Sequence, residues 1–167
     1  MKNRIKACKK TAHAIHAIGS RRAPVTPKSG SHVYHSICLS KLLYGVELMD
    51  VPHTIMREME SFHASIAKAL QGLQENACNI GAIRTLGWTS IQSNIDINRL
   101  LFLWRIICLP VTCIYKRLLI TRYGYICYDM YDCKGPLKCM LDTAKKYNLF
   151  NHVQEAIESG QHITMNA

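Results

Sequence analysis

The sequence predicts an all-α fold, a compact bundle of about six to eight short helices without substantial sheet. Three observations predict it. Apolar residues recur at steps of three and four along nearly the whole chain, Gly and Pro cut that pattern into helix-sized pieces, and no stretch alternates as a half-buried strand does. An apolar share of 49% over 167 residues is enough to build a core.

Ile5, Cys8, Ala12, Ile15 and Ile18 define an amphipathic first helix from about Asn3, with Gly19 as its expected stop and Lys2, Lys6, Lys9 and Lys10 on its polar flank. The next segment, RRAPVTPKSG from Arg21 to Gly30, has two prolines and no apolar period, which marks a loop. Within it Thr26 is suited to cap a second helix, with Pro27 at the first position, where a missing N–H costs nothing. That helix should reach about Leu48 and lie centrally, because Val33, Ile37, Leu39, Leu42, Leu43 and Val46 give it apolar surface on more than one side.

Asp50 or Thr54 is the expected cap of a third helix, whose stripe is Ile55, Met59, Phe62, Ile66 and Leu70. Glu58 and Glu60 on it stand two apart, do not face each other, and read as a solvated face rather than as paired carboxylates. A short fourth helix turns Ile80, Ile83 and Leu86 inward and stops at Gly87. After Ser90 a fifth carries Ile91, Ile95, Leu100, Leu103, Trp104 and Ile107 and ends before Pro110. Val111, Ile114, Tyr115, Leu118 and Leu119 form a sixth, closed by Gly124; Pro136 opens a seventh with Leu137, Met140, Leu141 and Ala144. Val153, Ala156 and Ile157 give a short eighth before Gly160, and residues 161–167 should fray. The organisation this implies is a basic N-terminal helix and loop (1–30), a central helical core (31–124) and a C-terminal helical appendage (125–167).

Charge is uneven. Residues 1–46 carry nine Lys and Arg and no acid, while the rest carry twelve basic and eleven acidic side chains, so the N-terminal quarter holds nearly all of the net +10. Such a field favours a polyanionic partner, nucleic acid or an anionic surface. Two blander readings stand beside it: a solvated helix face, and an acid-free mitochondrial transit peptide. The longest uncharged apolar run, between Arg105 and Lys116, is ten residues long and contains Pro110. A membrane span needs roughly 20, so no membrane partner is expected.

Eight cysteines without a CxxC pair read as small buried hydrophobes of a reducing compartment, which points to an intracellular protein, nuclear or cytoplasmic. Cys127, Cys133 and Cys139 recur every six residues, and His13/His16 and His32/His35 are HxxH pairs. Neither pattern has the close ligand pairing or third ligand that structural zinc takes, so no metal and no cofactor is expected. In Tyr123–Asp132 (YGYICYDMYD), Asp129 and Asp132 echo a polymerase carboxylate motif without being adjacent, and the tyrosines there suit packing, or alternatively base stacking.

Six blocks occur in a fixed order: KLLYG (Lys41–Gly45), AKALQGL (Ala67–Leu73), LGW (Leu86–Trp88), FLWRI (Phe102–Ile106), CIYKRLL (Cys113–Leu119) and KYNLF (Lys146–Phe150). From about Tyr34 to Leu149 this series resembles the helical region after the palm in reverse transcriptases of non-LTR retrotransposons. The resemblance implies a thumb and post-thumb region whose catalytic palm would lie upstream, and therefore no polymerase activity in this chain. It departs from the family at Ser40 and Gln74, where related tails have proline, and where related tails continue past Gly160. It further implies a fragment of a longer element, with KLLYG, LGW and FLWRI as core packing.

Two functions follow as expectations. One is a non-catalytic nucleic-acid-binding helical module that holds an RNA or DNA duplex by its phosphates through Lys2, Lys6, Lys9, Lys10, Arg21, Arg22 and Lys28. The other is a helical interaction or structural domain, or a non-functional remnant, that meets a protein through exposed apolar surface or meets nothing. No nucleophile with a partnered base and no phosphate-cradling glycine loop is visible, so no catalytic residue is assigned.

Overall fold

The structure, a computed structural model, describes residues 2–22, 26–127 and 135–165; the side chains of residues 2, 14–22 and 160–165 lie outside the description. The fold is all-α, and no strand occurs among the described residues. The chain forms two compact units, residues 1–46 with 51–94, and residues 47–50 with 95–167.

In the first unit, helix α1 (Lys2–Arg22) buries Ile5, Cys8 and Ala12, the first three residues of the stripe its sequence spells out; the side chains of Ile15 and Ile18 lie outside the described residues. It runs through Gly19, because one glycine inside a helix costs only about 1 kcal/mol and cannot end it without a left-handed cap. Most of the expected loop is therefore helical. Arg21 and Arg22 belong to α1, and α2 (Pro27–Val33) starts at once after Thr26, whose hydroxyl accepts the Ser29 N–H at 3.2 Å.

Beyond α2 the chain continues without a break through a π-helical segment, Tyr34–Leu39, into α3 (Ser40–Leu43). Each π turn leaves i−4 carbonyls without their usual partner. Ser40 donates its hydroxyl to the His35 carbonyl at 3.0 Å. The segment buries Tyr34, Cys38 and Leu39, and with Leu42 and Leu43 of α3 they give the two-sided burial expected of a central helix. α1 packs on this segment, on α3 and on α4 (His53–Gln71), and the Cys8 thiol lies 3.5 Å from the Cys38 carbonyl.

Neither Asp50 nor Thr54 caps α4; the cap position is Pro52, without a side-chain bond, and Thr54 is inside the helix. At its other end Gly72 takes φ +65°, with Gly72 N–H on the Ala69 carbonyl and Leu73 N–H on the Lys68 carbonyl. That paired bonding is a Schellman cap, so the helix stops without a proline at Gln74. Helix α5 (Asn79–Thr85) ends the same way on Gly87, φ +70°. It turns Ile83 inward and half-buries Leu86, whereas Ile80 is 64% exposed, contrary to its inward assignment.

The unit boundary falls within α6 (Ile91–Ile107), which Ser90 caps through its hydroxyl to Ser93 N–H. The second core joins Leu103 and Ile107 of α6, Leu119 and Tyr123 of α7 (Ile114–Cys127), Met140, Leu141 and Ala144 of α8 (Pro136–Lys146), and Val153 and Ile157 of α9 (Phe150–Met165). Residues of α8 and α9 thus help to build the second core, and α1 packs with α3 and α4 in the first unit. Helix α7 runs past Gly124 and α9 past Gly160, so the backbone is helical to Met165 where fraying was expected. The real stop of α8 is Asn148, at φ +57°, with a third Schellman pair to Lys145 and Ala144. Asp96 of α6, 2% exposed, accepts from Lys146 Nζ at 2.7 Å and from Tyr147 hydroxyl at 2.9 Å, which fixes the end of α8.

The left-handed caps carry the first prediction. A Cβ at Gly87 would meet nothing within 4 Å, so Gly87→Ala should lose about 1–2 kcal/mol through the backbone alone. Asn148→Gly should be neutral or gain up to about 1 kcal/mol. Urea unfolding of both variants checks the pair.

Candidate nucleic-acid interface

With Ile5, Cys8 and Ala12 turned into the first unit, α1 presents Lys6, Lys9, Lys10 and His13 to solvent at positions i, i+3, i+4 and i+7, which is a single stripe. Lys9 reaches Glu58 of α4 at 3.7 Å, with both side chains about half exposed, a pair weak enough for a phosphate to displace. Arg4 is engaged otherwise, donating to the Tyr44 carbonyl.

Lys28 is exposed on α2 and not on the α1 stripe. Lys2, Arg21 and Arg22 have helical backbone in α1, and their side chains lie outside the described residues. Of the seven cations read from the sequence, the structure therefore brings Lys6, Lys9 and Lys10 together and places Lys28 on a separate helix. The stripe sits in a strongly biased unit. Residues 1–46 and 51–94 hold twelve Lys and Arg against three acids, a net +9, and residues 47–50 and 95–167 hold nine against eight, a net +1.

Beneath this surface lies a group that the sequence reading passed over. His63 of α4 has no exposed surface, its Nδ1 is 2.9 Å from the Tyr34 hydroxyl, and its Nε2 is 3.1 Å from the Thr89 carbonyl. A carbonyl only accepts, so Nε2 bears the proton, Nδ1 accepts from Tyr34, and the ring is neutral. Trp88 stacks on Tyr34 at 4.8 Å and 10°, lies 4.8 Å from the His63 ring, and donates its indole N–H to Ser31. His35 stands edge-on to Trp88 at 5.0 Å. A signal was present in the sequence: His63 lies midway between Met59 and Ala67 at steps of four, on a buried row.

Burial pushes His63 down to about 4, against the opposing pull of its bond to the Thr89 carbonyl. It also lowers His35 and raises the Tyr34 phenol above its ordinary range. A ring with no exposed surface touches no substrate, so His63 acts in packing. Among the described residues no group of three His, Cys, Asp or Glu side chains is placed to hold a metal. Cys133, Asp129 and Asp132 lie outside the described residues; Tyr123 of that segment is buried in the second core. Among the described residues no helix is long and apolar enough to cross a membrane.

Within KLLYG, LGW and FLWRI, Leu42, Leu43, Trp88 and Leu103 pack as expected, while Tyr44 is 78% and Trp104 51% exposed. No family model, curated protein or solved structure matches the chain.

The depressed His63 value sets a pH dependence. The unfolded ring takes a proton near pH 6.5 and the folded ring only near 4, so this contribution is complete above 6.5 and is lost as pH falls towards 4. The loss amounts to about 3 kcal/mol. Urea unfolding of the native protein and of His63→Gln between pH 7.5 and 4.5 should show the steeper decline in the native protein, with the His35 contribution common to both.

Proposed function

We propose that this chain is a non-catalytic helical module that binds the phosphate backbone of duplex RNA or DNA, the role that its likeness to the post-palm region of non-LTR retrotransposon reverse transcriptases implies. The observation that carries this reading is the exposed stripe of Lys6, Lys9 and Lys10 on one face of α1, in a unit of net +9. Lysines on a regular helix present point charges at a spacing set by the backbone. They give affinity without base choice, because phosphates carry no sequence information. Arg21, Arg22, Lys2 and Lys28 extend the same charge along the chain. A specific observation favours a second reading, a protein-interaction domain: Ile97, Leu101 and Trp104 stand exposed at steps of four and three along α6.

Binding to a duplex should be weak, sequence-independent and steeply salt-dependent, with a log–log slope of roughly −3.6 if four phosphates are engaged. Lys6→Gln, Lys9→Gln and Lys10→Gln combined should flatten that slope by roughly 2.7 while the helical signal stays intact, since all three side chains are exposed. An unchanged slope would transfer the proposal to the α6 face. Primer extension with magnesium on a primed template should show no incorporation. Extension abolished by Asp129→Asn with Asp132→Asn would overturn the non-catalytic reading.

A further inference from the structure

The second unit contains a cleft of about 270 Å³ whose chemistry is independent of the lysine stripe. One face of α7 lines it, with Tyr115, Leu118, Leu119 and Arg122 at positions i, i+3, i+4 and i+7. Leu119 and the α8 residue Met140 are buried at its floor, and Phe102 and Ile106 of α6 form a half-buried wall. At the rim Tyr115 and Leu118 are largely exposed, and two exposed cations, Arg122 and Lys138, stand with them. Among the described residues no acidic side chain lines the cleft, and neither cation has a hydrogen-bond or ion-pair partner.

An apolar hollow with a few polar groups at its edge is the usual form of a small-molecule site, and this volume lies near the small end of that class. It is too small for the row of anchors by which an amphipathic helix docks. The sign of the rim selects the polar end of the ligand, since only an anion would find partners there. We infer that the cleft binds a single-chain amphiphile with a carboxylate head, its tail against Phe102, Ile106, Leu119 and Met140 and its head at Arg122 and Lys138.

Isothermal titration of the full chain with octanoate, decanoate and dodecanoate, each below its micelle concentration, tests this beside decanol and decyltrimethylammonium. Saturable one-to-one binding of the carboxylates is expected. Each further methylene the cleft admits should tighten it roughly fourfold. Arg122→Gln with Lys138→Gln should weaken decanoate roughly tenfold and leave decanol unchanged. Leu118→Glu, an exposed and therefore tolerated change, should weaken decanoate and strengthen the alkylammonium. Equal affinity for decanoate and decyltrimethylammonium, or no saturable binding of any carboxylate, would overturn the assignment. So would binding to phosphatidylglycerol vesicles, or to an acidic amphipathic peptide, without binding to monomeric decanoate.

Discussion

A fully buried imidazole is tolerable only if both of its nitrogens are paired, and His63 meets that demand with the Tyr34 hydroxyl on one side and the Thr89 carbonyl on the other. These two bonds join the π-helical segment, α4 and the strip of chain that leads into α6. Trp88 completes the assembly by stacking on Tyr34 and bonding Ser31 at the end of α2. α1 packs on the π-helical segment, α3 and α4 with Ile5, Cys8 and Ala12 inward, which leaves the lysines at 6, 9 and 10 outward. The cationic stripe is the outer face of a helix whose inner face packs on the same elements that this polar knot joins.

Helix ends show how much a local signal needs its partners. Gly19, Gly124 and Gly160 sit inside helices, while Gly72 and Gly87 end them. The residue type is the same. What differs is whether the glycine's own N–H and that of the next residue find the carbonyls left over at the end of the helix, as they do at Ala69 and Lys68 and again at Arg84 and Ile83. Asn148 does the work of a glycine within KYNLF, with Leu149 N–H returning to Ala144. Asparagine can pass through the left-handed region at modest cost, which is why a stop there is easily overlooked.

The second unit rests on a different arrangement. Asp96 lies inside it, buried, and Lys146 and Tyr147 converge on one of its oxygens. The hydrogen bond to Asp96 raises the Lys146 ammonium above its usual range. A buried carboxylate held in this way secures the geometry of α8 against α6 more than it adds stability. Around it the apolar residues of α7 exceed what the core absorbs, so Tyr115 and Leu118 remain at the surface and form one edge of the cleft.

The sequence by itself determined the all-α class, the buried stripe of α1, the Thr26–Pro27 start of α2 and the concentration of positive charge near the N-terminus. Each of these follows from period, cap chemistry or composition, which act over one or two turns. Tertiary structure decided what depends on distant partners. On α6 the sequence had already singled out Ile91, Ile95, Leu103 and Ile107, which are buried, and packing decided that Trp104, counted with them, stands outside beside Ile97 and Leu101. His63 drew no notice in the sequence, because its partners Tyr34 and Thr89 lie 29 and 26 residues away and only folding brings them to its two nitrogens. The lysines were legible as charge but not as a stripe, because a set of cations becomes a surface only when the opposite face of their helix has found something to cover.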